Sequence, residues 1–389
     1  MKQTHEFLVP DYYEAFCCKM GACRSACCVG WPITFSLEDY FRLTGSECST
    51  ELRQRIDRGV RVNLRPTPEA YAQIAPRYDG ECPMRLEDGR CAVHAELGEK
   101  ALSSICRLYP RGIRTQNACY ECSCANSCEA VLELLFSRDE PIRFERRTLS
   151  VDAPPAPQRL VHFETLGREQ DIRLWLIAIL QNRSLPLPQR LAGLGIALEE
   201  LEKTLAQKDE AALAAMLDRP WQKTLPSFEV NKAHLAFGLE KAEALVRLLD
   251  ERSQSLRDYG QDALGYFHAA SDPFERYVVA RLRFENRLPK WEIWFEHMLV
   301  NHLFFQQFPF QDRPESLWNE FVAISAIYTL LRLLSIGWMA HRKQETDFVD
   351  MAAAAFRLID HTSFDRYASR ALRDLDCTTP QTVFDLIVL

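Results

Sequence analysis

From residue 159 onward apolar residues recur at three- and four-residue intervals, with polar residues filling the opposite face. The spacing predicts helices over 170–182, 188–207, 210–217, 231–251, 274–283, 290–308, 315–342, 347–360 and 363–375. Strand-type alternation is nearly absent there and no period repeats, so residues 159–389 read as an α-helical bundle. Upstream the pattern breaks up. Residues 1–150 mix short apolar runs with turn signals at Asp79-Gly80 and Asp88-Gly89 and with Pro66, Pro68, Pro76, Pro83 and Pro110. Within this irregular region one short helix is expected to start at Ser36 as N-cap, with Asp39 at its third position and Gly45 as a stop; another is expected over 50–58. The run EAVLELLFS after Cys128 has helical spacing. Residues 151–158, VDAPPAPQ, form a proline-rich break between the two regions. The predicted fold is mainly α: an irregular N-terminal region, then a helical bundle.

Two features of the helical half invite a functional reading and do not sustain it. The apolar stretch 321–340 carries Arg332 and is flanked by Glu320 and by His341-Arg342-Lys343, which suits a buried bundle helix better than a membrane span. Gly193 and Gly195 lie inside a helical pattern with no strand before them, so they do not make a nucleotide-binding loop.

Composition changes the picture at one place. Thirteen of the fourteen cysteines fall between Cys17 and Cys128, leaving only Cys377 outside. The net charge of -7 argues against bulk binding to nucleic acid. The N-terminus has no apolar run of signal-peptide length, so the expectation is a cytoplasmic protein without a membrane role. In a reducing compartment clustered cysteines are metal ligands more often than disulfides. Short spacings around Cys17, Cys18, Cys23, Cys27 and Cys28 let several thiolates converge, with Gly21 and Gly30 permitting close backbone approach. Cys82, Cys91 and Cys106 form a second group, and Cys119, Cys122, Cys124 and Cys128 a third. His94 is a further possible ligand. Four thiolates serve a structural zinc or a four-iron cluster equally well. The spacing matches neither a pair of CxxC motifs nor CxxxCxxC: Gly30 stands three residues after Cys27, and Val131 three after Cys128.

The order of motifs resembles a known family. Phe16, Cys18, Cys23, Cys27-Cys28, Gly30-Trp31, Cys82-Pro83, Gly89-Arg90-Cys91, Leu97-Gly98, Cys106, Tyr109-Pro110-Arg111 and Ser127-Cys128-Glu129-Ala130 are similar in order to the flagellin lysine N-methylases. In the helical half, the string from Glu296 to Asn301, then Leu303-Phe304 and Phe308-Pro309-Phe310, resembles another segment of that family. The resemblance implies methyl transfer from S-adenosylmethionine to lysine ε-amines of flagellin. It also implies an iron–sulfur cluster, four-iron in type, with ligands drawn from Cys18, Cys23, Cys27, Cys28, Cys82, Cys91, Cys106 and Cys128. Glu129 replaces the family's usual proline after the last cysteine, and Cys17, Cys48, Cys119, Cys122 and Cys124 lie outside the pattern.

Methyl transfer to lysine needs the neutral amine, because an ammonium has no lone pair; an apolar aromatic pocket or a nearby base supplies it. Trp31, Tyr109 and Tyr120 are the candidate walls, with Trp31 also placed at the donor. Glu81, Asp88 and Glu129 are candidate bases, so Tyr109 and Glu129 are the expected catalytic pair. Arg107 and Arg111 are placed to pair with the donor carboxylate. The alternative is a non-enzymatic protein with structural zinc and a helical scaffold for a protein partner. An iron–sulfur electron carrier or metal chaperone suits the cysteines and leaves the helical half without a role.

Overall fold

The computed structural model describes residues 3–24, 27, 29, 33–78, 80–116, 119–151, 165–221, 231–250, 254–310, 316–342 and 344–389. Cys28, Gly30, Trp31 and almost all of the proline-rich break lie outside the described residues. The chain is mainly helical, as its apolar spacing predicts.

The N-terminal region is more ordered than its turn signals suggest. Strands β1 (Gln3–Pro10), β2 (Thr34–Phe35), β3 (Val60–Val62), β4 (Ala72–Ile74), β5 (Arg111–Gln116), β6 (Cys119–Cys124) and β7 (Phe144–Val151) form two sheets. One is four-stranded in the order β5-β6-β1-β7, the other three-stranded in the order β2-β4-β3. In the larger sheet β1 runs parallel to β6, with Phe7 opposite Tyr120, and antiparallel to β7, with Phe7 opposite Arg147. Phe7, Leu8 and Val9 are all buried. A strand covered on both faces shows no in–out alternation, which is why its sequence carries little strand signal.

Helices α1 (Leu37–Gly45), α2 (Thr50–Gly59), α3 (Ala92–Leu97), α4 (Ser104–Leu108) and α5 (Glu129–Phe136) complete this region. The Ser36 side chain accepts a hydrogen bond from the Asp39 amide at the start of α1, the N-cap its sequence announces. Residues between Ile33 and Cys106 form a small lobe around their own core of Ile33, Phe35, Leu43, Leu52, Ile56 and Met84.

The helical half comprises α6 (Glu169–Leu180), α7 (Leu187–Gln207), α8 (Glu210–Leu217), α9 (Lys232–Asp250), α10 (Gln254–His268), α11 (Pro273–Arg287), α12 (Trp291–Gln306), α13 (Leu317–Trp338), α14 (Glu345–His361), α15 (Phe364–Asp374) and α16 (Pro380–Ile387). Two of these, α10 and α16, lie outside the helices expected from sequence. Gly260 and Gly265 lower helix propensity in α10, and packing against its neighbours overrides that cost. Gly193 and Gly195 serve helix packing: a side chain at either would strike Trp221 or Phe321.

The central helix is α13. It is long and apolar enough to cross a membrane, yet 94% of its apolar window is buried inside the molecule, the setting of a bundle core helix. Its buried charge, Arg332, pairs with Glu285 and lies 3.8 Å over the Trp291 ring. The larger sheet is not separate from the bundle: Phe7, Val9, Tyr12, Ile113 and Cys122 share one continuous core with the helices. Phe136 of α5, Trp294 of α12 and Phe348 of α14 stack across that junction, Phe136 and Trp294 at 4.7 Å.

Candidate functional site

The cysteines divide by environment. Cys122 and Cys124 are two apart on β6, so they share one sheet face, and both are buried in the main core. The Cys122 thiol donates to Tyr13 Oη at 2.9 Å. Cys377 is buried in the helical half, and Cys82 packs in the small-lobe core. Cys17 and Cys18 are exposed, and the Met20 amide lies 3.4 Å from Cys18 Sγ.

Cys48 packs against the small-lobe core and Cys119 opens β6, while four other thiols gather around Cys27. Its charge acts on Cys23, Cys91, Cys106 and Cys128, and also on the Tyr109 phenol. These groups come from different elements: the 17–27 loop, the N-cap position of α3 (Cys91), α4 (Cys106) and the N-cap position of α5 (Cys128). Burial, reinforced by the neighbouring thiols, pushes Cys23 up to about 11 and Cys106 and Cys128 up to about 12, and raises Cys91 as well. Opposing this, the Val93 and His94 amides donate to Cys91, and the Ala130 and Val131 amides to Cys128. Amides aimed at buried sulfurs favour thiolate, and crowded thiolates need a cation among them. Soft sulfur donors of this kind suit zinc or an iron–sulfur cluster. Among the described residues no group of three or more His, Cys, Asp or Glu side chains is arranged to hold a metal ion.

Backbone contact brings the loops together. Gly21 has φ +102° and Gly89 φ +85°, and a Cβ on Gly21 would lie 2.8 Å from the Arg90 amide nitrogen. A Cβ on Gly89 would fall on the Gly21 carbonyl oxygen. Only two glycines allow the Cys18–Cys23 loop to lie directly on the turn that leads to Cys91. Gly89→Ala is therefore expected to cost about 1–3 kcal/mol and to lower metal per chain, as thermal unfolding and metal analysis will report. Wild-type values for both would separate this contact from the site.

Ion pairs clamp the cysteine loop to the bundle. Lys19 Nζ lies 2.6 Å from both Glu129 and Glu133, and Arg24 reaches Glu129 (3.2 Å), Glu133 (3.0 Å) and Asp350 of α14 (3.0 Å). Glu129, whose side chain is fully buried, thus holds two cations and anchors the loop. Of the other candidate bases, Glu81 is paired with Arg77 and Arg85, and Asp88 with Arg90 at 2.7 Å. Arg111 lies 4.9 Å over the Phe16 ring. Arg107, on α4 beside Cys106, forms no ion pair among the described residues. Tyr120 stacks on His5 at 4.3 Å within the sheet.

Tyr109 borders the thiols and reaches across to the helical half. Its hydroxyl lies 3.1 Å from Ser127 Oγ, which lies 2.8 Å from Nε2 of His361 at the end of α14. Ser127 enters the sequence reading only as the first residue of the Ser127-Cys128-Glu129-Ala130 motif, and His361 not at all, for 234 residues separate them. Lys19, Arg24 and Asp350 were equally silent.

Over residues 173–381, just over half of the chain, the sequence matches the family described as the FliB lysine N-methylase C-terminal domain. A lysine-N-methylase of Salmonella typhimurium is 28% identical over 165 residues, 41% of this chain and 41% of that protein. One of Salmonella choleraesuis matches equally, at 28% over 165 residues and 41% of each chain. The chain thus spans about two-fifths of the length of these curated relatives. No solved structure matches it. On the match across its helical half, the chain belongs to the FliB lysine N-methylase family.

Proposed function

We propose that this protein is a lysine N-methyltransferase that carries methyl groups from S-adenosylmethionine to lysine ε-amines of flagellin in the cytoplasm, with a cysteine-held iron–sulfur cluster at its site. The observation that carries the reading is the family match over residues 173–381, together with relatives whose names state lysine N-methylation. The gathering of thiols around Cys27 supports the cofactor: Cys23, Cys27, Cys91, Cys106 and Cys128 would hold it, with Cys18, Cys28 and Cys82 as the other candidates. When bound, such a cluster supplies a coordination position for the amino and carboxylate groups of the methyl donor.

The chain's own residues do the rest. Arg107, on α4 beside Cys106, would pair with the donor carboxylate, and Arg111 adds positive charge above Phe16. Tyr109 presents an aromatic wall beside the thiols, which favours the neutral amine by limiting its hydration. The ion pairs of Lys19 and Arg24 keep the cysteine loop seated on α5 and α14.

Protein purified without oxygen should carry iron and acid-labile sulfide and should label flagellin lysines from methyl-labelled S-adenosylmethionine. Stoichiometric zinc without iron or sulfide would remove the cluster and favour structural zinc. Absence of label on flagellin would remove the methyl-transfer reading.

A further inference from the structure

We infer that His302, held between Asp360 and Asp365, is a buried imidazolium that clamps α12 to α14 and α15, so that alkaline solution loosens the packing of these three helices. The inference is independent of the methyl-transfer reading.

His302 lies on α12, Asp360 one residue before the end of α14, and Asp365 in the first turn of α15. The two carboxylates therefore flank the short turn between α14 and α15, and the histidine reaches both from a third helix. Its Nδ1 lies 2.8 Å from Asp360 Oδ1, and its Nε2 lies 3.9 Å from Asp365 Oδ2. The His302 and Asp360 side chains are 3% and 1% exposed, and that of Asp365 is 16% exposed. A neutral imidazole has one N–H and one bare nitrogen. With the proton on Nδ1, the bare Nε2 faces the Asp365 carboxylate. With the proton on Nε2, the bare Nδ1 lies against Asp360. Each neutral form sets one acceptor against another; the imidazolium donates on both sides.

Asp360 needs the positive charge equally. Its Oδ2 is buried and has no hydrogen-bond partner among the described residues, so the contact of Oδ1 with His302 carries the pairing. A buried carboxylate persists in a core when an opposite charge and hydrogen bonds offset its desolvation. The surroundings hold the pair in register. The Gln306 side chain, one turn after His302, donates to the Asp360 carbonyl at 3.0 Å, and the His302 ring packs 5.8 Å from that of Phe356.

The electrostatics agree with this geometry. Burial by itself lowers the His302 pKa, but the hydrogen bond to Asp360 and the charges of Asp360 and Asp365 outweigh it and raise the imidazole above its ordinary value. Asp360 also acts on Tyr12, which is bonded to Asn301, and on His361, where Arg114 and Arg357 oppose it. Charges on neighbouring elements are engaged elsewhere: Glu121 of β6 with Arg173 of α6, Glu129 and Glu133 of α5 with Lys19 and Arg24, and Arg332 of α13 with Glu285. Because the folded value lies above the unfolded one, the clamp contributes fully below the ordinary value near 6.5. That contribution is lost as pH rises through the folded value.

His302→Gln keeps a donor for Asp360 and carries no charge. Wild-type and variant chains are unfolded in urea between pH 5.5 and 9.5 at matched metal content. The ratio of their unfolding constants, wild type over variant, should be smallest below the ordinary histidine value. It should then rise by up to about tenfold per pH unit and level off near one once the wild-type imidazole is neutral. A ratio that stays constant across this range overturns the clamp. Nitrogen NMR of histidine-labelled wild-type protein gives a second reading, with His302 assigned through its contact with Phe356. Both ring nitrogens should be protonated at pH 6, and their titration midpoint should lie above about 6.5. One bare nitrogen at pH 6, or a midpoint at or below the ordinary value, also overturns the clamp. If His302→Gln does not fold, the NMR titration decides.

Discussion

Cys27→Ala protein, purified without oxygen, will carry almost no iron and will label flagellin at least about 100-fold more slowly than the wild type. Cys27 is the thiol whose charge reaches Cys23, Cys91, Cys106, Cys128 and Tyr109, so its loss removes the shared neighbour of every element that meets there. Cys23→Ala and Cys106→Ala should behave alike. Cys122→Ala serves as the contrast. Its thiol is buried in the sheet core, so truncation should lower stability and leave iron per chain unchanged. Iron loss in Cys122→Ala equal to that in Cys27→Ala would show that the cofactor is not gathered where the electrostatics of the thiols gather. Full iron and full rate in Cys27→Ala would remove that residue from the site.

Arg173→Met will destabilise the fold by about 3–5 kcal/mol. Arg173 of α6 meets Glu121 of β6 at 2.6 Å with both side chains essentially buried, and its other nitrogen donates to the Phe304 carbonyl at 3.1 Å. This pair joins the larger sheet to the bundle. Removing only the arginine leaves a carboxylate in the core with Gln307 as its nearest donor, at 3.4 Å. The double change Arg173→Met with Glu121→Leu should recover most of the loss, since apolar side chains of similar volume pack there without a buried charge. Urea unfolding of the three proteins measures this. A loss under about 1 kcal/mol in the single variant would give the pair the value of a surface contact and sink the prediction.

Much of the helical half was legible because an amphipathic helix writes its burial into residues three and four apart. The helix expected over 210–217 occurs with those bounds, and the cap at Ser36 sits where its sequence placed it. The sheet was hidden for the opposite reason. The buried half of its strand β1, Phe7 to Pro10, is apolar on both faces and pairs with partners more than 110 residues away, so neither alternation nor a local turn marks it. The spacing of Cys122 and Cys124 looks like a ligand motif in a list of thiols; in the fold it is the two-residue period of a strand.

The candidate site was legible only in its ingredients. The sequence alone determined that the chain is mainly helical, that its thiols are concentrated before residue 129, and that motifs in both halves resemble the flagellin lysine N-methylases. Tertiary structure alone decided which thiols face one another, that Glu129 is held by Lys19 and Arg24, and that Tyr109 is linked through Ser127 to His361. The division has a physical cause. Helical periodicity and capping depend on neighbours within a turn or two. Desolvation, ion pairing and hydrogen bonding depend on which distant segments the packed core brings within about 3 Å of each other.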